Sequence, residues 1–220
     1  MKLKICYILI ITLINSLSAG EWQNLFDGKT LTGWEERTKE GSFEVKDGTI
    51  VGTMILEKGT TFLVYGKEFT DFELEFEINI IDSELNSGVQ IRSRCKEASG
   101  SQKHGAVYGP QVELSTKGEK TRSGFIFGQG WKGWITPKET ATNSFMKKGD
   151  WNKVKVVAVG KNIKTWINGQ FVHDTVIPDD RHATNSKGFI ALQCHGIKSG
   201  GPYKVAWKNI RIKELTGETK

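Results

Sequence analysis

Between residues 72 and 80 apolar and polar side chains alternate without a break: Phe72, Leu74, Phe76, Ile78 and Ile80 against Glu73, Glu75, Glu77 and Asn79. A period of two is the pattern of a β-strand with one buried and one wet face. The segment 151–172 continues it as a meander: a valine-rich strand, a turn at Gly160-Lys161-Asn162, a strand through 163–167, then Asn168-Gly169 before Phe171 and Val172. Asn-Gly suits a type I′ turn, whose two central residues both take positive φ. Shorter runs predict strands at 43–45, 49–52, 89–94, 112–114, 124–127, 189–193 and 205–215. A period of 3.6 is nowhere sustained, so no long helix is expected. More than eight short strands joined by tight turns imply an all-β fold, a two-sheet antiparallel β-sandwich. The longest irregular stretches are 128–148, with Trp131 and Trp134, and 173–187. Long loops on such a scaffold commonly carry function.

Composition adds a compartment. Lys2 and Lys4 precede an apolar run over 5–17 and the small residues Ser18, Ala19 and Gly20, which predicts a secretory signal peptide over 1–20 and a single domain over 21–220. The run is short for a bilayer, so no stable membrane span is expected in the mature form. Loss of Cys6 with the leader leaves Cys95 and Cys194 in an oxidising compartment, either paired or as two buried thiols. There is no C-x-x-C, and His104, His173, His182 and His195 show no H-x-x-x-H spacing, which disfavours structural zinc. The formal charge of +6 falls to +4 without Lys2 and Lys4 and is spread without a basic block. It reads as ordinary solubility, with no footprint for nucleic acid.

Several motifs need weighing. Residues 128–133 match G-x-G-x-x-G literally, but no strand-then-helix pattern surrounds them, and a phosphate cradle needs that helix N-terminus. Glu73, Glu75 and Glu77 share one strand face, and a retaining glycosidase needs two carboxylates about 5–5.5 Å apart. Alternating glutamates opposite a fully apolar face read instead as a solvated sheet surface. Three other strands mix polar groups into apolar runs. Period two puts Gln90, Arg92 and Arg94 on one face against Val89 and Ile91. It puts Gln111 and Glu113 opposite Val112 and Leu114, and Gln193 and His195 opposite Leu192 and Cys194. Such faces suit a sugar-sized trough, where amides and charged groups bond hydroxyls and tryptophan stacks on a pyranose. The alternative is that they are wet outer faces, normal in antiparallel sheets.

A series of segments spanning residues 24–215 resembles the 3-keto-disaccharide hydrolase family. They are residues 24–34, with Asp27-Gly28-Lys29 and Thr32-Gly33-Trp34, and residues 45–52, with Asp47-Gly48. Asn86-Ser87-Gly88 with Arg92 follows, then Tyr108-Gly109-Pro110-Gln111-Val112-Glu113. Asp150-Trp151-Asn152, Asn168-Gly169, Leu192-Gln193-Cys194-His195-Gly196 and residues 208–215 complete the order. The resemblance implies a concanavalin A-like jelly roll, export to the periplasm or outside the cell, and action on glycosides carrying a ketone at sugar carbon 3. The sequence itself requires no cofactor. A 3-ketone acidifies the hydrogen on carbon 2, so a base can form an enolate that expels the carbon-1 substituent, after which water adds. The resemblance implies Glu113 and His195 as the base and acid pair, in either assignment, and Arg92 on the enolate or substrate. Asn86, Gln90, Arg94, Gln111, Gln193, Trp131 and Trp134 are the substrate-binding set on the same reading.

Two other classes fit the fold. A noncatalytic sugar-binding module needs amides and aromatics but no titratable base. A β-glucanase of the laminarinase type is opposed by the absence of E-x-D anywhere in the chain. Such sandwiches can hold structural calcium, for which Asp179 and Asp180 are the available oxygens, but adjacent loop aspartates are more often solvated, and the metal stays unassigned.

Overall fold

The computed structural model describes residues 17–37, 41–55, 59–98, 105–131 and 133–217. In chain order the first strands are β1 (Leu17–Ala19), β2 (Gln23–Asn24), β3 (Trp34–Arg37), β4 (Gly41–Lys46), β5 (Thr49–Met54), β6 (Thr61–Phe69), β7 (Phe72–Ile80) and β8 (Asn86–Cys95). Then come β9 (Val107–Ser115), β10 (Ile126–Gln129), β11 (Gly133–Trp134), β12 (Asn152–Val159), β13 (Asn162–Ile167), β14 (Gln170–Val176), the helix α1 (Asp179–Asn185), β15 (Gly188–Cys194) and β16 (Tyr203–Gly217). The expected leader up to residue 16 and His104 lie outside the described residues. Among the described residues no helix is long and apolar enough to cross a membrane.

The strands form two antiparallel sheets. One runs β14-β13-β12-β7-β16-β5-β4, with β1 and β2 also pairing on β16; the other runs β11-β10-β9-β8-β15-β6-β3. The period-two segment at 72–80 is β7, at the middle of the first sheet. Its Phe72, Leu74, Phe76, Ile78 and Ile80 are buried with Trp207, Ile210 and Ile212 of β16. Against them pack Val89 and Ile91 of β8, Val112 and Leu114 of β9, and Ile190 and Leu192 of β15. At about 25 cal/mol per Å2 of apolar surface, this double layer is the main source of stability. The expected turn at Asn168-Gly169 has φ of 51° and 80°, and Asp47-Gly48 between β4 and β5 has 49° and 73°.

Two features depart from the sequence pattern. Strands β3 and β6, and the short β1, β2 and β11, were not expected; β6 is buried on both faces at its start, which removes the alternation. On its far side Phe62 and Val64 join Val107, Phe189 and Ala191 in a second, smaller apolar cluster on the outside of the seven-stranded sheet. The loop expected over 173–187 instead contains the end of β14 and the seven-residue helix α1.

Candidate functional site

Register assembles the polar strands into one constellation. On the outer face of the seven-stranded sheet Gln90 pairs with Gln111, Gly88 with Glu113, and Gln193 with Gly88. These are not wet faces: Gln90 is 0% exposed, Gln111 and Gln193 1%, and Glu113 8%. Buried amides must find partners, and they find one another. Ser93 Oγ donates to Gln90 Oε1 at 2.8 Å, Gln90 Nε2 to Gln111 Oε1 at 2.6 Å, and Gln111 Nε2 to Glu113 Oε2 at 2.8 Å. Gln193 Nε2 also donates to Gln111 Oε1, at 2.6 Å. From the other side Asn86 Nδ2 donates to Glu113 Oε1. Gln90 and Gln193 thus donate to Gln111, Gln111 and Asn86 donate to Glu113, and Gln111 Nε2 also reaches Gln193 Oε1 at 3.3 Å.

Gly88 makes the arrangement possible. A Cβ there would stand 2.7 Å from Gln111 Nε2 and 2.8 Å from its Cδ, so the Gln111 amide lies flat across a position only glycine leaves open. Sequence reasoning missed Gly88 and Ser93 as parts of the site. The available signal was a lone glycine inside a strand, which marks close approach.

Burial pushes the Glu113 carboxyl up to about 7, against the hydrogen bonds from Gln111 and Asn86, which favour the charged form. A carboxylate tuned near neutrality and held by two donors is a base ready to take a proton. The chain opens toward solvent at this end. Asn86 is half-buried, and among the described residues its buried Oδ1 has no hydrogen-bond partner, an acceptor suited to a ligand hydroxyl. His195 follows the last residue of β15, whose partner is Ser87, so it comes next in line beside Asn86, and it is exposed. Its Nδ1 lies 2.6 Å from the Gly196 carbonyl oxygen. A carbonyl only accepts, so Nδ1 carries the proton and Nε2 is the free nitrogen.

The tryptophans separate. Gln111 pairs with Phe127 and Phe127 with Trp134, so Trp134 continues the same face. Its ring meets Phe127 edge-on at 5.3 Å and has the Arg122 guanidinium 4.3 Å over it. Trp131 lies in the turn between β10 and β11, packed on the main core with Arg181 5.5 Å over its ring; the strand register does not bring it to Gln111. The G-x-G-x-x-G stretch is this β10–β11 hairpin, with no helix behind it.

Arg92 requires a correction. Expected beside Gln90 and Arg94, it takes φ of 46° at a register shift between Gln90 and Arg94. The bulge turns the side chain to the other side of the sheet. There Nη1 donates to Gly160 O at 2.6 Å, Nη2 to Asp71 Oδ1 at 2.8 Å, and Nε to Thr70 O. With 1% of its surface exposed, Arg92 ties the β6–β7 connection to the β12–β13 turn of the opposite sheet and does not reach Glu113. Arg94 is exposed, with Nε 3.3 Å from Lys187 O, and lines a hollow of about 350 Å3 with Tyr108, Cys95, Phe189, Val64 and Arg37. That hollow lies on the same outer face, at the end of β9 away from Glu113.

Both cysteines are free: Cys95 is half-buried on the outer face, and Cys194 is in the core with its thiol pushed up to about 12 by burial. Asp179 bonds Lys161 at 2.7 Å and Asp180 contacts Arg181 at 3.3 Å. Among the described residues no three His, Cys, Asp or Glu side chains converge as a metal site. A larger cavity, about 740 Å3, lies on the outer face of the nine-stranded sheet around Glu75, Glu77 and Arg211. Size alone would favour it. The Glu113 constellation is the stronger candidate for chemistry, because Glu75 and Glu77 each face a cation while no cation among the described residues faces Glu113.

Solved structures share this fold. A glycosyl hydrolase candidate from Parabacteroides distasonis is 20% identical, with a TM-score of 0.59 over 89% of this chain and 94% of that one. The carbohydrate binding module CBM66 from Bacillus subtilis is 18% identical, with a TM-score of 0.56 over 85% and 96%. A Bacillus subtilis protein of unknown function with a galectin-like fold is 10% identical, with a TM-score of 0.66 over 92% and 100%. A search of curated protein sequences finds no match. The sequence profile of the 3-keto-alpha-glucoside-1,2-lyase-like domain matches residues 21–213, nearly all of the described sandwich and every residue of the Glu113 constellation, and the chain belongs to that family.

Proposed function

We propose that this protein, exported by its N-terminal leader, cleaves glycosides oxidised to a ketone at sugar carbon 3, with Glu113 as the base. The observation that carries the reading is a buried carboxylate raised to about 7 that accepts hydrogen bonds from the Gln111 and Asn86 amides. Ionised Glu113 takes the proton from carbon 2, and the C–H pair becomes the enolate of the 3-ketone. The enolate collapses, the bond from carbon 1 to its substituent breaks, and His195, as a doubly protonated imidazolium with Nδ1–H held on Gly196 O, gives its Nε2 proton to the departing oxygen. Water then adds across the resulting enone. The Asn86 amide, whose Oδ1 has no partner, positions a substrate hydroxyl beside Glu113, and Trp134 offers a face two strands further on. The enolate-binding role expected for Arg92 is dropped, since its guanidinium is consumed by Thr70, Asp71 and Gly160.

A second reading, glycan binding without cleavage, is favoured by the sandwich shared with the carbohydrate binding module CBM66, since one fold can host both roles. Incubation of the purified protein with a 3-keto-glucoside and with the same unoxidised glucoside, following aglycone release and enone absorbance, separates the two. Release from the oxidised substrate alone is expected, with Glu113→Gln lowering the rate by a factor of roughly 100 or more. Binding of both substrates with release from neither would leave the binding module.

A further inference from the structure

The outer face of the nine-stranded sheet is unlike the Glu113 site in chemistry and lies on the opposite side of the sandwich. Its cavity of about 740 Å3 is lined by Asn24, Glu75, Lys153, Trp166, Asn209 and Arg211, among others. Three carboxylates there meet four cations, and a fifth cation, Lys153, stands beside them. Glu73 is bonded by Lys155 at 2.5 Å and Lys213 at 3.0 Å, Glu75 by Arg211 at 2.5 Å, and Glu77 by Lys208 at 3.7 Å. Lys153 lines the cavity, and no ion pair or side-chain hydrogen bond engages its ammonium among the described residues. Trp166 lines the cavity, and Trp22 lies beside it against Arg211. Trp166 meets Phe171 edge-on at 5.4 Å, and Phe171 is 53% exposed. Trp22 lies under Arg211 at 4.5 Å and Lys213 at 4.8 Å. From β16 across β7 and β12 to β13 is three inter-strand steps, about 14 Å.

We infer that this face is a second binding site, for an acidic polysaccharide whose sugar rings pack on Trp166 and Trp22 and whose uronate carboxylate meets Lys153. Flat aromatic rings flanking mixed donors and acceptors suit a hydroxyl-rich ring. The surplus of two cations, with Lys153 unpaired, selects an anionic one. Nucleic acid fits poorly, because its phosphates would face three carboxylates and a surplus of two charges neutralises few of them.

Titration of tryptophan fluorescence with trigalacturonate, and with its methyl ester, tests this on the whole purified protein. Saturable quenching by trigalacturonate is expected, weaker by about tenfold for the neutral ester. Lys153→Ala should reduce affinity by a similar factor and Trp166→Ala should abolish the quenching. Unchanged circular dichroism would show that both variants are folded, and both should keep their activity on the 3-keto-glucoside. Glu113→Gln should bind trigalacturonate as the unmodified protein does, so failure of the proposed catalysis and failure of this site are separable. Absence of saturable binding, equal binding of acid and ester, or loss of binding in Glu113→Gln but not in Trp166→Ala would each overturn the proposal.

Discussion

Glu113 sits where burial and hydrogen bonding oppose each other, and burial wins. Its carboxyl is raised from an ordinary 4.5 to about 7 in the folded protein, so the protonated form favours folding. That contribution is present in full below about pH 4.5 and is lost as the pH rises through about 7; the difference corresponds to about 3 kcal/mol. Glu113→Gln, which cannot ionise, should therefore gain stability relative to the unmodified protein between pH 4.5 and pH 8. Urea unfolding of both proteins across that range reads the effect directly, and parallel stability curves would contradict it. Activity should run the other way, rising with pH through about 7 as the base ionises. Gly88 tests the same geometry from below. An alanine methyl at 88 meets the Gln111 amide inside van der Waals contact, so Gly88→Ala should cost about 1–3 kcal/mol in stability. Because Gln111 is also the donor that holds Glu113, its rate should fall by far more than the loss of folded protein explains.

Among the elements, the bulge in β8 separates what the sequence showed from what it concealed. Strand β7 was legible because its two faces are chemically pure, and its observed bounds coincide with the pattern. The polar faces of β9 and β15 were legible for the same reason, and register alone then carries Glu113, Gln111 and Gln193 to one place. Strand β6 was hidden because Phe62 and Val64 bury its outer face as well, leaving no alternation to read. Helix α1, Asp-Asp-Arg-His-Ala-Thr-Asn, has no apolar stripe and is held by its surroundings. Period two failed at Arg92, because a residue at positive φ within a register shift turns its own side chain to the other face. The consequence is testable. Arg92 is a buried cation satisfied by two carbonyls and Asp71, so Arg92→Ala strands the Asp71 carboxylate and those carbonyls and should cost about 3–5 kcal/mol. As a structural tie it should leave KM and kcat per folded molecule unchanged; a selective fall in kcat at full folding would restore it to the chemistry.

At the scale of the whole molecule, the seven-stranded sheet divides the two cysteines. Cys194 faces the inter-sheet core and is fully buried, whereas Cys95 belongs to the outer apolar cluster, with Arg37 Nη1 donating to its sulfur at 3.4 Å. Along β8 their partners are Ser87 and, for Cys95, its own position at the far end. Eight residues of strand span about 26 Å, several times the roughly 5.5–6 Å between Cα atoms that a disulfide allows. The oxidising compartment expected from the leader therefore leaves both thiols unpaired. A sandwich of two sheets has no route to Cys194 short of parting them, and burial keeps the thiol protonated with its pKa near 12, so a thiolate-directed reagent should find only Cys95 in the native state. With the leader removed, native protein should release one equivalent of chromophore from an aromatic disulfide reagent, and guanidinium should release the second. The second thiol should appear at the rate of global unfolding, in step with loss of the Trp207 environment in the same core. Rapid native labelling of both cysteines would mean that the sheets part locally around β15, where Gln193 joins the Glu113 hydrogen-bond chain, and the rigid placement of Glu113 would have to be given up.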